Sequence, residues 1–237
     1  MRWEGRGLSP DKRDESNGDR AETTGAVRAG GGPSGSRADS ARETARISLA
    51  MRTRELVEAV LLSDVAIADL GAAAAEVGSL AARLGARQRP GLMKSGVDGA
   101  DAPRRLPHSP VTGEANPVAP PIRITTTPEG TARAEFILGP VYEGPSDAVH
   151  GGVCAAILDS LLGAAAAAGH RPGMTARLIL SYLRPTPLGV PLVAEAWIRG
   201  VDRRTTLVDG RILNERGELT VEAAGEFSLP LHWPHRG

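Results

Sequence analysis

The stretch from Val153 to Gly169 constrains the fold more than any other part of this sequence. It reads VCAAILDSLLGAAAAAG, almost wholly apolar, with Asp159 and Ser160 in its middle. It is too short and too polar for a membrane span. Its spacing and alanine content predict a helix from about Gly151 to Ala168. A helix apolar on every side cannot face water and needs a layer around it. The flanking sequence supplies that layer. Alternating runs at Ile122–Thr127 and Thr131–Leu138, split by Pro128-Glu129-Gly130, predict a hairpin. After the helix, strand-like runs follow at Thr175–Leu183, Pro191–Ile198, Thr205–Asn214 and Leu219–Leu229. Turns are expected at Pro185–Gly189, Gly200–Arg203 and Glu215–Gly217. The order β-β-α-β-β-β-β makes the fold class α+β, an antiparallel sheet wrapped around one central helix.

The chain before this domain divides by composition. Residues 1–46 hold few large apolar side chains (Met1, Trp3, Leu8, Val27) and are expected to form a disordered tail. Met51 opens the first periodic segment, so a start there fits as well as a genuine tail does. No apolar stretch follows the early arginines, so no signal peptide is expected. Residues 47–89 read as a helical arm. Leu56, Val57, Val60 and Leu61 recur at helical spacing, Ser63-Asp64 offers a cap, and Leu70, Val77, Leu80 and Leu84 continue beyond it. The second run carries Asp69 and Glu76 and almost no basic residue before Arg83, which argues against a DNA-reading helix. Residues 90–117 form a proline- and glycine-rich linker, expected to become ordered only around Asn116 to Pro121. The folded domain spans 118–231, and 232–237 is a tail. His232 and His235 in that tail have metal-like spacing but no third ligand nearby.

Charge narrows the functional classes. Lys plus Arg number 28 against 28 Asp plus Glu, and aromatics are 3% of residues. That balance argues against nucleic acid as a partner, whether through a basic face or a stacking platform. Cys154 is the one cysteine, so an internal disulfide or a multi-cysteine zinc site is excluded, and a cytoplasmic location is expected.

The chemistry concentrates at His150-Gly151-Gly152 and, nine residues after the histidine, Asp159. Glycines at a helix start let a ligand approach the backbone, where free N–H groups stabilise negative charge and can form an oxyanion hole. Asp159 lies among Ala155, Ala156, Leu158 and Leu162, a setting suited to a general base. A packing role for the glycines and a loop-bonded aspartate is an open alternative at this point. Cys154, in an apolar helix, reads as a buried small hydrophobe rather than a nucleophile. Arg184, Arg203 and Arg204 are candidate contacts for a ligand's phosphates.

These residues resemble the hotdog-fold acyl-CoA thioesterases of the PaaI-like group. The similarity takes in His150-Gly-Gly with Asp159, Asn116-Pro-Val-Ala-Pro-Pro, Tyr142-Glu-Gly-Pro, Thr175-Ala-Arg-Leu, Tyr182-Leu-Arg-Pro-Thr-Pro-Leu and Val221-Glu-Ala-Ala-Gly-Glu-Phe, in the family's order over roughly residues 108–230. The resemblance implies hydrolysis of acyl-CoA without metal or other cofactor, by a homodimer or dimer of dimers. It places the carboxylate on Asp159, the oxyanion donor on the Gly151 N–H and the preceding histidine on His150. A hydroxyl that places water or holds the carboxylate falls on Thr175, with Gly152 and the three arginines on the substrate side. Two departures stand out. Gly144 occupies a loop position where some relatives carry Asn or Gln, and the family's Gly-Arg-Lys turn is Asp202-Arg203-Arg204. Other readings are an acyl-thioester dehydratase or hydratase using His150, and a non-catalytic acyl-CoA-binding protein.

Overall fold

The computed structural model describes residues 37–88, 107–145 and 147–228. Two helices come first, α1 (Arg37–Leu62) and α2 (Ile67–Gly85). The hairpin follows as β1 (Ile124–Thr127) and β2 (Thr131–Ile137), then a 3-10 turn at Pro140–Tyr142 and the central helix α3 (Gly151–Ala168). Four strands complete the domain: β3 (Met174–Tyr182), β4 (Pro191–Asp202), β5 (Thr205–Leu213) and β6 (Leu219–Ser228). They form one six-stranded sheet in the order β1-β2-β4-β5-β6-β3, antiparallel at every pairing. This is the hotdog arrangement.

Alternation decides which face meets the helix. Ala132, Ala134 and Phe136 of β2, Leu192, Ala194 and Ala196 of β4, and Val208 and Ile212 of β5 are buried. They enclose Cys154, Ile157, Leu158, Leu161, Leu162, Ala165 and Ala166 of α3 in one core cluster. The low aromatic content has a structural counterpart here. Leu162 sits so close to the sheet that a Cβ on Gly210 or Gly225 would lie 2.6 or 2.8 Å from its methyls. A helix resting this closely on glycine and alanine leaves little room for rings, and the core cluster holds two phenylalanines, Phe136 and Phe227. By length and hydropathy α3 would suit a membrane span, yet its large side chains are packed against the sheet.

The structure moves several expected boundaries. Residues 37–46, assigned to the tail, belong to α1. That segment, RADSARETAR, has no glycine or proline, and Arg46 pairs with Glu43 at 3.6 Å; helix propensity carries it without an apolar face. Residues 1–36 and the 232–237 tail with both its histidines lie outside the described residues. Ser63 and Asp64 do not cap α2; its N-cap is Ala66, without a side-chain bond. The expected turn at Gly200 is instead an irregularity within β4, which continues to Asp202. Of the linker, residues 107–117 are ordered. Ser109 Oγ accepts from the Val111 and Thr112 N–H groups, and Asn116 bridges His108 O and the Val118 N–H. Residues 89–106 lie outside the description.

Candidate active site

His150 begins α3 as its N-cap. Its carbonyl accepts from the Val153 and Cys154 N–H groups at 2.9 and 3.2 Å, and its ring Nδ1 accepts from the Gly152 N–H at 3.0 Å. Among the described residues nothing accepts from the Gly151 N–H, so one helix-end donor is left for a ligand. From β3, the Tyr182 hydroxyl donates to the Gly151 carbonyl at 2.8 Å. The peptide between Gly151 and Gly152 is therefore held at both ends, by Tyr182 at its C=O and His150 at its N–H. Burial, with Cys154 adding to it, raises the Tyr182 pKa and keeps the hydroxyl a donor. The Tyr182 ring also explains the first glycine, since a Cβ on Gly151 would lie 3.2 Å from Tyr182 Cε1.

Asp159 lies two turns along α3 and is half-buried. Thr175 Oγ1, at the start of β3, donates to its Oδ1 at 2.7 Å. The second carboxylate oxygen remains for a proton or a nucleophile. Sequence and resemblance had named both residues; the structure brings them into contact.

It keeps them away from Gly151. Eight residues of helix separate Gly151 from Asp159, about 12 Å along the axis. Strand register makes the same division. Thr205, Ser228 and Met174 align across β5, β6 and β3, so Arg203 and Arg204 in the β4–β5 turn share a sheet end with Thr175. Arg184, which donates to the Leu219 carbonyl at 2.8 Å, follows Tyr182 at the other end. One group is Asp159, Thr175, Arg203 and Arg204. The other is His150, Gly151, Gly152, Tyr182 and Arg184.

The departure at Gly144 is steric. A Cβ there would lie 2.7 Å from the His150 Cα, so no side-chain amide fits at this position. In the β4–β5 turn it is Arg203 that adopts a left-handed conformation, with φ of 52°.

Sequence reasoning missed a groove beside His150. Pro110 and Val111 of the ordered linker, with Val118 and Pro120 just after it, face Tyr142, Val153, Ala156 and Ile157 across a space of about 350 Å³ that also touches His150 and Gly152. Arg54 of α1 holds that linker, donating to the carbonyls of Gly113, Glu114, Asn116 and Ala119. These contacts join residues some 60 positions apart, which no local pattern announces. A hollow of about 370 Å³ around Trp197, Arg211 and Glu222 is lined by none of the candidate residues. Cys154 is buried and its thiol pKa is pushed up by that burial, against a weaker opposing contact from Thr186. Among the described residues no group of His, Cys, Asp and Glu side chains is arranged to hold a metal.

An antiparallel sheet around a single helix that starts on a donor-bearing glycine pair and carries a carboxylate two turns on defines a hotdog-fold protein. The sequence pattern of the thioesterase superfamily matches residues 147–221. A crystal structure of a thioesterase superfamily protein is 34% identical and covers 77% of this chain and 90% of its own, with a TM-score of 0.69. This chain belongs to the thioesterase superfamily. The acyl-coenzyme A thioesterase THEM4 of Xenopus laevis is 34% identical over 77 residues, 32% of this chain; the match spans 35% of that relative's length. The E. coli PaaI protein is 21% identical over 45% of this chain and 82% of its own, with a TM-score of 0.43.

Proposed function

We propose that this protein hydrolyses acyl-CoA thioesters to free acid and CoA. The observation that carries the reading is the pairing of a helix-end N–H at Gly151, next to a clamped peptide, with a mid-helix carboxylate held by Thr175. Water bound at the free oxygen of Asp159 gives its proton to the carboxylate as its oxygen adds to the thioester carbonyl. The Gly151 N–H holds the resulting oxyanion. Collapse breaks the C–S bond, and the CoA sulfur takes the proton from Asp159. Direct attack by Asp159, forming an anhydride that water then cleaves, uses the same groups.

The two groups meet when a second copy pairs along β3. This strand is a sheet edge, with Met174, Ile179 and Tyr182 about half exposed, and an unpaired edge is a template for another strand. Antiparallel pairing about its midpoint, Leu178, puts Thr175 of one copy opposite Ser181 of the other, one residue from Tyr182. Asp159 then faces the partner's Gly151, and two-fold symmetry makes two equivalent sites. Arg203 and Arg204 on one subunit and Arg184 on the other supply cations for the CoA phosphates. The groove by His150 and Gly152 is apolar and suits the acyl chain. His150 spends its Nδ1 on the Gly152 N–H, which favours a capping role over the catalytic histidine a dehydratase needs.

The test is a panel of short, medium, long and aromatic acyl-CoAs, read by thiol release, with wild type and Asp159→Asn. Turnover of at least one class, lost by orders of magnitude in the variant at unchanged Tm, is expected. No turnover of any class would leave only the non-catalytic binding reading, and a fully active variant would remove Asp159 from the chemistry.

A further inference from the structure

Among the described residues, α2 packs against no other element. None of its residues is buried, and Leu70, Val77 and Leu84 are 46%, 41% and 50% exposed. An isolated helix of this length is marginal in water; helices in proteins are stabilised mainly by packing an apolar face. This face is regular. Leu70, Val77 and Leu84 stand seven apart, with Ala73 and Leu80 between them, the heptad spacing of a helix–helix seam. Gly71 and Gly78 flank the stripe with open space where a Cβ would be, so a second backbone can approach closely.

The pattern is also nearly symmetric about Val77. Reversal about that residue sets Leu84 on Leu70, Ala81 on Ala73 and Leu80 on Ala74. Charges follow the same symmetry, since Asp69 lies in the first turn and Arg83 in the last. Antiparallel pairing brings Asp69 toward the partner's Arg83 at both ends, whereas parallel pairing would set like charges together. Glu76 meets its own copy at the solvent margin of the seam, where salt screens the repulsion. A lipid surface is a poor occupant, because Arg83 is the only basic residue in α2 against Asp69 and Glu76.

We propose that α2 is an oligomerisation helix, pairing antiparallel with α2 of a second copy across a two-fold axis at Val77. This contact is separate from the β3 edge and does not depend on the proposed reaction.

The test uses full-length chains bearing one added cysteine, under mild oxidation, because the native Cys154 is buried. Val77→Cys should give linked dimers, and Ala75→Cys, on the opposite side of the helix, should not. Leu70→Cys should link to Leu84→Cys in a mixture and not to itself. Val77→Cys linking no better than Ala75→Cys overturns the proposal, as does self-linking of Leu70→Cys, which requires parallel helices. Hydrogen exchange gives a readout without added cysteines. Residues 67–85 should be protected in wild type and lose that protection in Val77→Glu, with the sheet unchanged. Fast exchange of α2 in wild type also overturns the proposal.

Discussion

Replacing Tyr182 by Phe removes one oxygen and leaves the ring against Gly151. The bond lost is a 2.8 Å donation to the Gly151 carbonyl by a side chain of a residue 55% exposed. Such a bond contributes about 0.5–1 kcal/mol net, the lower part of the usual range, because water competes for both partners. If that energy positions the neighbouring Gly151 N–H toward the oxyanion, kcat should fall about two- to fivefold. KM should hold, since the donor acts on charge that develops only in the transition state. The informative comparison is His150→Ala, which releases the other end of the same peptide. Once one clamp is gone the second has less to hold, so the double variant should lose less than the sum of the singles. Steady-state hydrolysis of one acyl-CoA by four proteins completes the cycle. Unchanged kcat in Tyr182→Phe, or strict additivity, would refute the two-ended clamp. A loss of hundredfold or more would make Tyr182 a participant in the chemistry.

Other consequences follow from the packing. Leu162→Ala removes a side chain with 0% exposure, seated over two glycines, and should cost about 2–5 kcal/mol in urea unfolding. Arg54→Ala removes four donations to the linker; protection over residues 107–121 should drop by about 2 kcal/mol in hydrogen exchange, and KM should rise. Burial raises the Cys154 pKa, so the unfolded thiol deprotonates first. Its contribution to stability is complete below the ordinary thiol range and is lost as pH rises through that range to the folded value. Cys154→Ala should therefore flatten the alkaline decline in Tm, and iodoacetamide should label native protein far more slowly than unfolded protein.

The central helix was legible because a single apolar run fixed it, and its expected ends match those observed, Gly151 and Ala168. The strands were legible from alternation, except where β4 passes through an irregularity at Gly200 that local turn signals mimic. The start of α1 was missed because apolar content was used where propensity decided. The groove wall and its Arg54 anchor are products of contacts between distant segments. Tyr182 belonged to a recognised sequence segment, but only the fold shows its hydroxyl on Gly151. The contact between Thr175 and Asp159 was expected through family resemblance, not from any spacing.

The composite site is tested most directly by mixing two inactive proteins. Asp159→Asn lacks the carboxylate. Gly151→Pro lacks the donor at a helix position that tolerates proline, with Tyr182 yielding slightly to the ring. After subunit exchange of equal amounts, half the dimers are mixed, and each holds one site with Gly151 and Asp159 intact on opposite chains. The account predicts recovery of about a quarter of wild-type activity. Exchange demonstrated by mass spectrometry, with both parents folded dimers and no activity regained, would contradict it.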